Sequence, residues 1–194
     1  MSSGEYSGET DATSILPSGS VVEESANGRP SWHGGLDFGL LVLRLIVGGV
    51  FLAHGARHLL GWFGGMGIDR FAEYLGALGF AHTGIFSYIA AWTELVGGFF
   101  CVLGLLTPLA AAGVLGVVVN AIVAVKWPHG FFAPDGFELE AVLAGAAFTL
   151  LFTGPGRIAL DNGRRWFRYA PAFGFLFMLI SAAAILVTLL VFRH

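Results

Sequence analysis

Charge is what this sequence has least of. Only 12% of its 194 residues are Asp, Glu, Lys or Arg, about half the roughly 25% usual in a soluble domain. With 56% hydrophobic residues and a mean hydropathy of +0.76, there is too little polar surface to cover a globule in water, which excludes a soluble enzyme domain first. Cysteine is nearly absent as well. Cys101 alone leaves no intramolecular disulfide, no CxxC redox pair and no four-Cys metal cluster. No basic stripe occurs, and a net charge of −3 gives no reason to expect a nucleic-acid partner. What the chain does have is long apolar runs, the mark of a polytopic membrane protein.

Three regions differ in character. Residues 1–35 are rich in Ser, Gly, Glu and Thr, with Glu5, Glu9, Asp11, Glu23 and Glu24 set against Arg29. Such a stretch buries too little apolar surface to offset its ordering entropy and reads as a disordered acidic tail. Residues 36–161 form a membrane core, and residues 162–194 an Arg-rich loop followed by a last apolar run. Five apolar segments emerge, at 37–58, 86–106, 108–127, 137–153 and 171–192. The fold class is therefore all-α, a membrane helical bundle of four core helices plus a fifth, C-terminal transmembrane helix. Only Thr107 and Pro108 join the second and third segments, which predicts a helical hairpin. The fourth is short, with Glu138 and Glu140 at its entrance, and Gly154, Pro155 and Gly156 end it.

Cations in the short loops set the orientation. Arg29, Arg157, Arg164, Arg165 and Arg168 lie on the N-terminal side, against Arg57, Arg70 and Lys126 on the other. This places the N-terminus in the cytoplasm of a bacterial plasma membrane, with Arg193 and His194 outside. Trp32 and Trp166 mark the cytoplasmic rim, and Trp62 and Trp127 the outer rim, as an aromatic belt requires. In one outer loop, Asp69 is placed to cap a short helix reaching Gly79, with Phe71, Leu75 and Leu78 along one face. That helix is expected to lie on the membrane surface.

Ionisable groups inside spans are costly and mark function. Here they are Arg44, His54 and Arg57 in the first span and Glu94 in the second, joined by the amide of Asn120 in the third. Counted from the outer rim, His54, Asn120 and Glu94 lie at about 6, 10 and 12 Å. Arg44 lies at about 21 Å, with a side chain long enough to reach towards Glu94. Ala112, Gly116, Asn120 and Ala124, and Thr93, Gly97 and Cys101, recur every four positions and give small faces suited to close helix packing. Cys101 is expected to be core filler. Glu94 has two readings: a structural partner of Arg44 or Asn120, or a proton-exchanging, ligand-binding carboxylate. His54 and His58 share a helix face. His58, His129 and Glu138 are read as an outer polar vestibule, and no metal site is assigned because no second His pair or HExxH accompanies them.

The stretch Arg44-Leu-Ile-Val-Gly-Gly-Val-Phe-Leu-Ala-His54-Gly55, with Gly61-Trp62-Phe63-Gly64-Gly65, resembles the opening of DoxX-family membrane proteins. The resemblance continues through Glu94-Leu-Val-Gly-Gly-Phe-Phe-Cys-Val-Leu-Gly-Leu-Leu-Thr-Pro108, His129-Gly-Phe-Phe132, Gly136 and Glu138. It closes with Thr153-Gly-Pro-Gly-Arg157-Ile-Ala-Leu-Asp161. It implies a four-helix membrane bundle linked to thiosulfate:quinone oxidoreduction and to complexes handling thiol and oxidative stress. In the mycobacterial type, the resemblance implies soluble partners, a superoxide dismutase and a thiosulfate sulfurtransferase. Two departures stand out. The family often carries a lysine shortly after this His-Gly, where the chain has Arg57 and His58, and a fifth span exceeds the usual four.

Two functions follow from these readings. The first is a membrane component or anchor of a quinone-linked or thiol redox complex, with quinone as the candidate cofactor and the catalytic residues unassigned. The alternative is a small transporter or permeability factor, homo-oligomeric, moving protons or a small anion along a path lined by Glu94 and Arg44.

Overall fold

A computed structural model describes residues 34–132, 134–164 and 169–191. Residues 1–33 of the acidic tail, with Arg165, Trp166, Arg168, Arg193 and His194, lie outside the described residues, while the tail's last two, Gly34 and Gly35, are helical. Within them the regular elements are helices: α1 (Gly34–Leu60), α2 (Gly67–Ala77), α3 (Thr83–Leu103), α4 (Thr107–Ala121), α5 (Glu138–Thr153) and α6 (Ala170–Val191). A π-helical turn, Ile122–Lys126, and a 3₁₀ turn, Trp127–His129, extend α4. The chain is an all-α membrane bundle. Four helices are long and apolar enough to cross a bilayer: α1, α3, α4 with its extension, and α6. The fourth apolar segment is the one that falls short, since α5 has 16 residues, roughly 24 Å of rise. It still runs from one end of the bundle to the other. The flanks are apolar, with Phe38, Ile85, Val142 and Leu190 among the side chains left outside, as lipid contact requires.

Glycines set the tightest seam, between α1 and α3. A Cβ on Gly48 would lie 2.7 Å from the Gly98 carbonyl oxygen, and one on Gly98 would lie 2.5 Å from the Leu52 amide nitrogen. A Cβ on Gly55 would collide with the Leu95 backbone. The two backbones therefore touch along their length, as small residues permit in membranes. α4 packs against α3, α5 and α6. The expected small face of α4 faces this way: Ser181 of α6 donates to the Ala112 carbonyl at 2.8 Å, and Gly116 lies under the same hydroxyl.

The α3–α4 connection is Gly104–Leu106 rather than Thr107–Pro108, which open α4. Gly104 takes φ 64°, and the Gly104 and Leu105 amides return to Cys101 and Phe100, a glycine C-cap that reverses the chain in few residues. The loop after α5 tucks back onto this turn. Leu160 and Asp161 amides donate to Leu103 and Gly104 carbonyls. Asp161 Oδ2 accepts from the Thr107 amide at 2.9 Å and its hydroxyl at 3.2 Å, while Asp37 Oδ1 accepts from the Arg157 amide at 2.7 Å. This end, formed by the start of α1 and the 154–161 loop, is the latch end of the bundle.

α2 differs from the expected surface helix in two respects. It starts at Gly67 with Met66 as its N-cap, and Asp69 sits in the first turn without a capping hydrogen bond, where its charge suits the helix dipole. It also packs on α1 and α3, because burying Phe71, Leu75 and Leu78 against the bundle is better than leaving that face at a wet interface.

Candidate functional site

At the end opposite the latch, α1 carries His54 and His58 one turn apart, and α3 presents Glu94. The glycine seam explains their meeting: with Gly55 against the Leu95 backbone, the neighbouring Glu94 side chain reaches across to α1. His58 Nδ1 and Glu94 Oε2 stand 2.7 Å apart, with Glu94 buried. Phe71 of α2 stacks on the imidazole at 4.1 Å, with an interplanar angle of 7°. One face of His58 is thus fixed by an aromatic ring and one nitrogen by a carboxylate. When Glu94 is ionised, Nδ1–H donates to it; when Glu94 is protonated, the imidazole nitrogen accepts. The pair can hold a proton and exchange it. His54 lies 6.0 Å from His58, ring to ring, within electrostatic reach of Glu94 and Glu140.

These groups border a cavity of about 540 Å³ whose walls are mainly apolar. Asn120 borders it from α4. Its amide Nδ2 donates to the Gly116 carbonyl at 2.9 Å, which fixes the amide orientation and leaves Oδ1 buried without a hydrogen-bond partner. The π-helical turn begins two residues later, a feature frequent at functional sites. That turn carries Lys126, whose Nζ stands 3.7 Å from Glu140 Oε1, while Glu140 Oε2 is buried without a partner. Lys126 and Glu140 both line the cavity. Sequence reasoning took one as a loop cation and the other as crowding at a helix entrance. The signal for pairing them was that both flank the connection between the third and fourth spans.

The structure therefore joins His54, His58, Glu94 and Asn120 around one cavity and leaves out the rest of the expected set. Arg44 does not approach Glu94. It is 1% exposed at the latch end, where Nη2 donates to the Ile158 carbonyl at 2.5 Å and a Cβ on Gly104 would strike Nη1. The 154–161 loop, folded back into the bundle, offers that carbonyl closer than α3 offers its carboxylate. Glu94 and Arg44 thus line no common path among the described residues. Glu94 bonds to His58 rather than to Asn120. Arg57, His129 and Glu138 are exposed and do not border the cavity. No three His, Cys, Asp or Glu side chains among the described residues converge in a way that would hold a metal. Cys101 is fully buried, beside Arg44.

These features define a helical membrane protein with a mainly apolar cavity bordered by a few polar groups and a hydrogen-bonded latch at the opposite end. The DoxX family model matches residues 39–127. The "Uncharacterized membrane protein Rv3486" of Mycobacterium tuberculosis is 34% identical over 161 residues, 75% of this chain and 94% of the relative. The "Putative oxidoreductase CatD" of Bacillus subtilis is 28% identical over 125 residues, 64% of this chain and 86% of that protein. No solved structure matches the chain. The chain belongs to the DoxX family.

Proposed function

We propose that this protein is the membrane component of a redox system and that its cavity takes a quinone-type ring, with His58 and Glu94 exchanging protons with it. The observation that carries the reading is the 2.7 Å His58–Glu94 pair at the wall of an apolar cavity of about 540 Å³, a size within the roughly 300–1,000 Å³ of small-molecule sites. The residues present fit such a ring. The apolar walls accept its faces, and the two partnerless buried oxygens, Asn120 Oδ1 and Glu140 Oε2, would each gain from a hydroxyl of the reduced, quinol form. A bound quinone supplies a couple of two electrons and two protons. His58 orients and relays a proton, Glu94 holds its counter-charge, and Phe71 fixes the ring plane of His58. One cysteine gives the chain no dithiol of its own, so electrons come from a soluble partner, which makes the protein an anchor as well as a binding site. The oxidoreductase name of the B. subtilis relative supports this class of function. The bacterial plasma membrane with a cytoplasmic N-terminus is the setting we propose.

The test is binding of a tail-less benzoquinone to the full chain in nanodiscs, by equilibrium dialysis. Wild type retains the ring, and Glu94→Gln and His58→Gln each weaken retention by about tenfold while the thermal midpoint holds. Wild-type protein that retains no ring above empty nanodiscs refutes the reading.

A further inference from the structure

We propose that the cavity is the head end of a lateral track, along which a long-tailed quinone or quinol enters from the bilayer between α3 and α6. The inference deepens the redox reading and rests on it for the identity of the head. The cavity is not confined to its polar end. Its lining follows α4 from Leu109 through Gly113 and Gly116 to Ala124, roughly 22 Å of helix rise. Small residues keep this floor low. One wall is Ile89, Ala90 and Thr93 of α3; the other is Phe177, Ile180 and Ala184 of α6. α4 packs against both helices and separates them, which leaves the space above it as a groove. The rim is open, since Ile89, Leu109 and Ile180 are 55%, 45% and 54% exposed, and at this depth what lies outside is hydrocarbon.

Polarity is unevenly distributed along the groove. His54, His58, Glu94, Lys126 and Glu140 line it from about the level of Gly113, on which Thr93 packs, up to Ala124, and the remaining stretch to Leu109 and Phe177 is walled by apolar side chains beside Ser181. A molecule with a polar ring and an apolar tail matches both parts. The open side also has a physical reason. A lipid tail gains no hydrophobic free energy by moving from bilayer to protein, so a closed pocket would offer it nothing, whereas a groove leaves it in hydrocarbon while the ring reaches His58. Charge favours a neutral head over an anionic lipid headgroup, which would meet the carboxylates of Glu94 and Glu140.

The experiment uses the full chain in nanodiscs and a benzoquinone whose isoprenoid tail ends in a diazirine. Illumination is expected to label α4 near Leu109–Gly113 and α6 near Phe177–Ile180. Excess unlabelled tailed quinone is expected to remove the label, and equal oleate to leave it. Leu109→Trp and Ile180→Trp, at exposed rim positions of the apolar stretch, are expected to cut labelling about tenfold while binding of the tail-less ring changes less than about twofold. Labelling confined to the lipid-facing Leu52, Val96 and Phe99 surface, equal competition by oleate, or labelling that neither rim variant changes overturns the track. Failure of the tail-less ring to bind wild type counts instead against the redox reading, so the two can fail separately.

Discussion

Adding one methyl group at Gly48 tests the α1–α3 seam, because the adjacent Gly49 supplies an internal control. A Cβ on Gly48 would stand 2.7 Å from Gly98 O, 2.7 Å from Val102 Cγ2 and 2.8 Å from Val102 N, whereas Gly49 has nothing within 4 Å. Two of the three obstructing atoms are backbone, which cannot rotate away. Restoring ordinary van der Waals contact at 3.4 Å or more requires the helices to part by about 0.7 Å, an overpacking that costs roughly 1–3 kcal/mol. For a chain of this length that is a fall of roughly 2–12 °C in thermal midpoint. Gly49→Ala meets no obstacle and gains helix propensity, so its midpoint should hold or rise. The seam also carries the site. A displacement of this size transmitted about one turn along α3 to Glu94 and about three along α1 to His58 would stretch their 2.7 Å contact beyond hydrogen-bond length, so ring retention should fall with stability. The assay is a thermal melt of both variants in the same detergent, beside the dialysis measurement. Equal midpoints for Gly48→Ala and Gly49→Ala would refute the close-packed seam.

The remaining predictions concern the latch and the outer ion pair. Asp161→Ala removes the acceptor of the Thr107 amide and hydroxyl and should cost about 2–3 kcal/mol, read as a lower thermal midpoint, with Asp161→Asn recovering part of it. Arg44→Ala leaves the Ile158 carbonyl without its donor and opens space beside Cys101. Maleimide, which should not react with the fully buried Cys101 of wild type, should then label it in the folded variant. Lys126→Ala breaks a 3.7 Å pair whose side chains are 29% and 20% exposed. It should change stability by less than about 1 kcal/mol, and a larger drop in the melt would mean that Lys126 contributes more than this one contact.

Much of the fold was legible because the bilayer imposes a length rule on apolar runs. Segments 37–58 and 171–192 correspond to α1 and α6 with ends displaced by a few residues. The face of Phe71, Leu75 and Leu78 was read correctly, and it lines the cavity. Arg44 shows where axial arithmetic fails. Depth along a helix says how far a residue lies from the rim but not which neighbour its side chain meets, and a loop folding back from residue 154 is invisible to periodicity. The sequence marked Glu94 as important by its cost in hydrocarbon, but the choice of His58 as partner depends on how closely Gly55 lets α1 and α3 approach. Lys126 and Glu140 were hidden for a related reason: segment 108–127 reaches Lys126, but its place at the rim says nothing of which side chain on the next helix it meets.

The position of α6 shows how the two ends depend on each other. It contributes no ionisable group to the cavity, yet it supplies the wall opposite α3 and fills the small face of α4 through Ser181. A Cβ on Gly174 would sit 2.8 Å from the Leu151 carbonyl oxygen, so α6 also touches the α5 backbone three residues before the latch loop begins. Hydrogen bonds accepted by Asp161 and Asp37 hold that loop, and a Cβ on its Gly154 would lie 3.4 Å from the Ala170 Cβ at the start of α6. Polar groups buried at the latch end therefore constrain a helix that bounds the site at the other end. Such groups are expensive in hydrocarbon unless hydrogen-bonded, and at the latch many of them are. Among the described residues the few buried charges divide between these tasks, Arg44, Asp37 and Asp161 holding the bundle together and Glu94 facing the cavity.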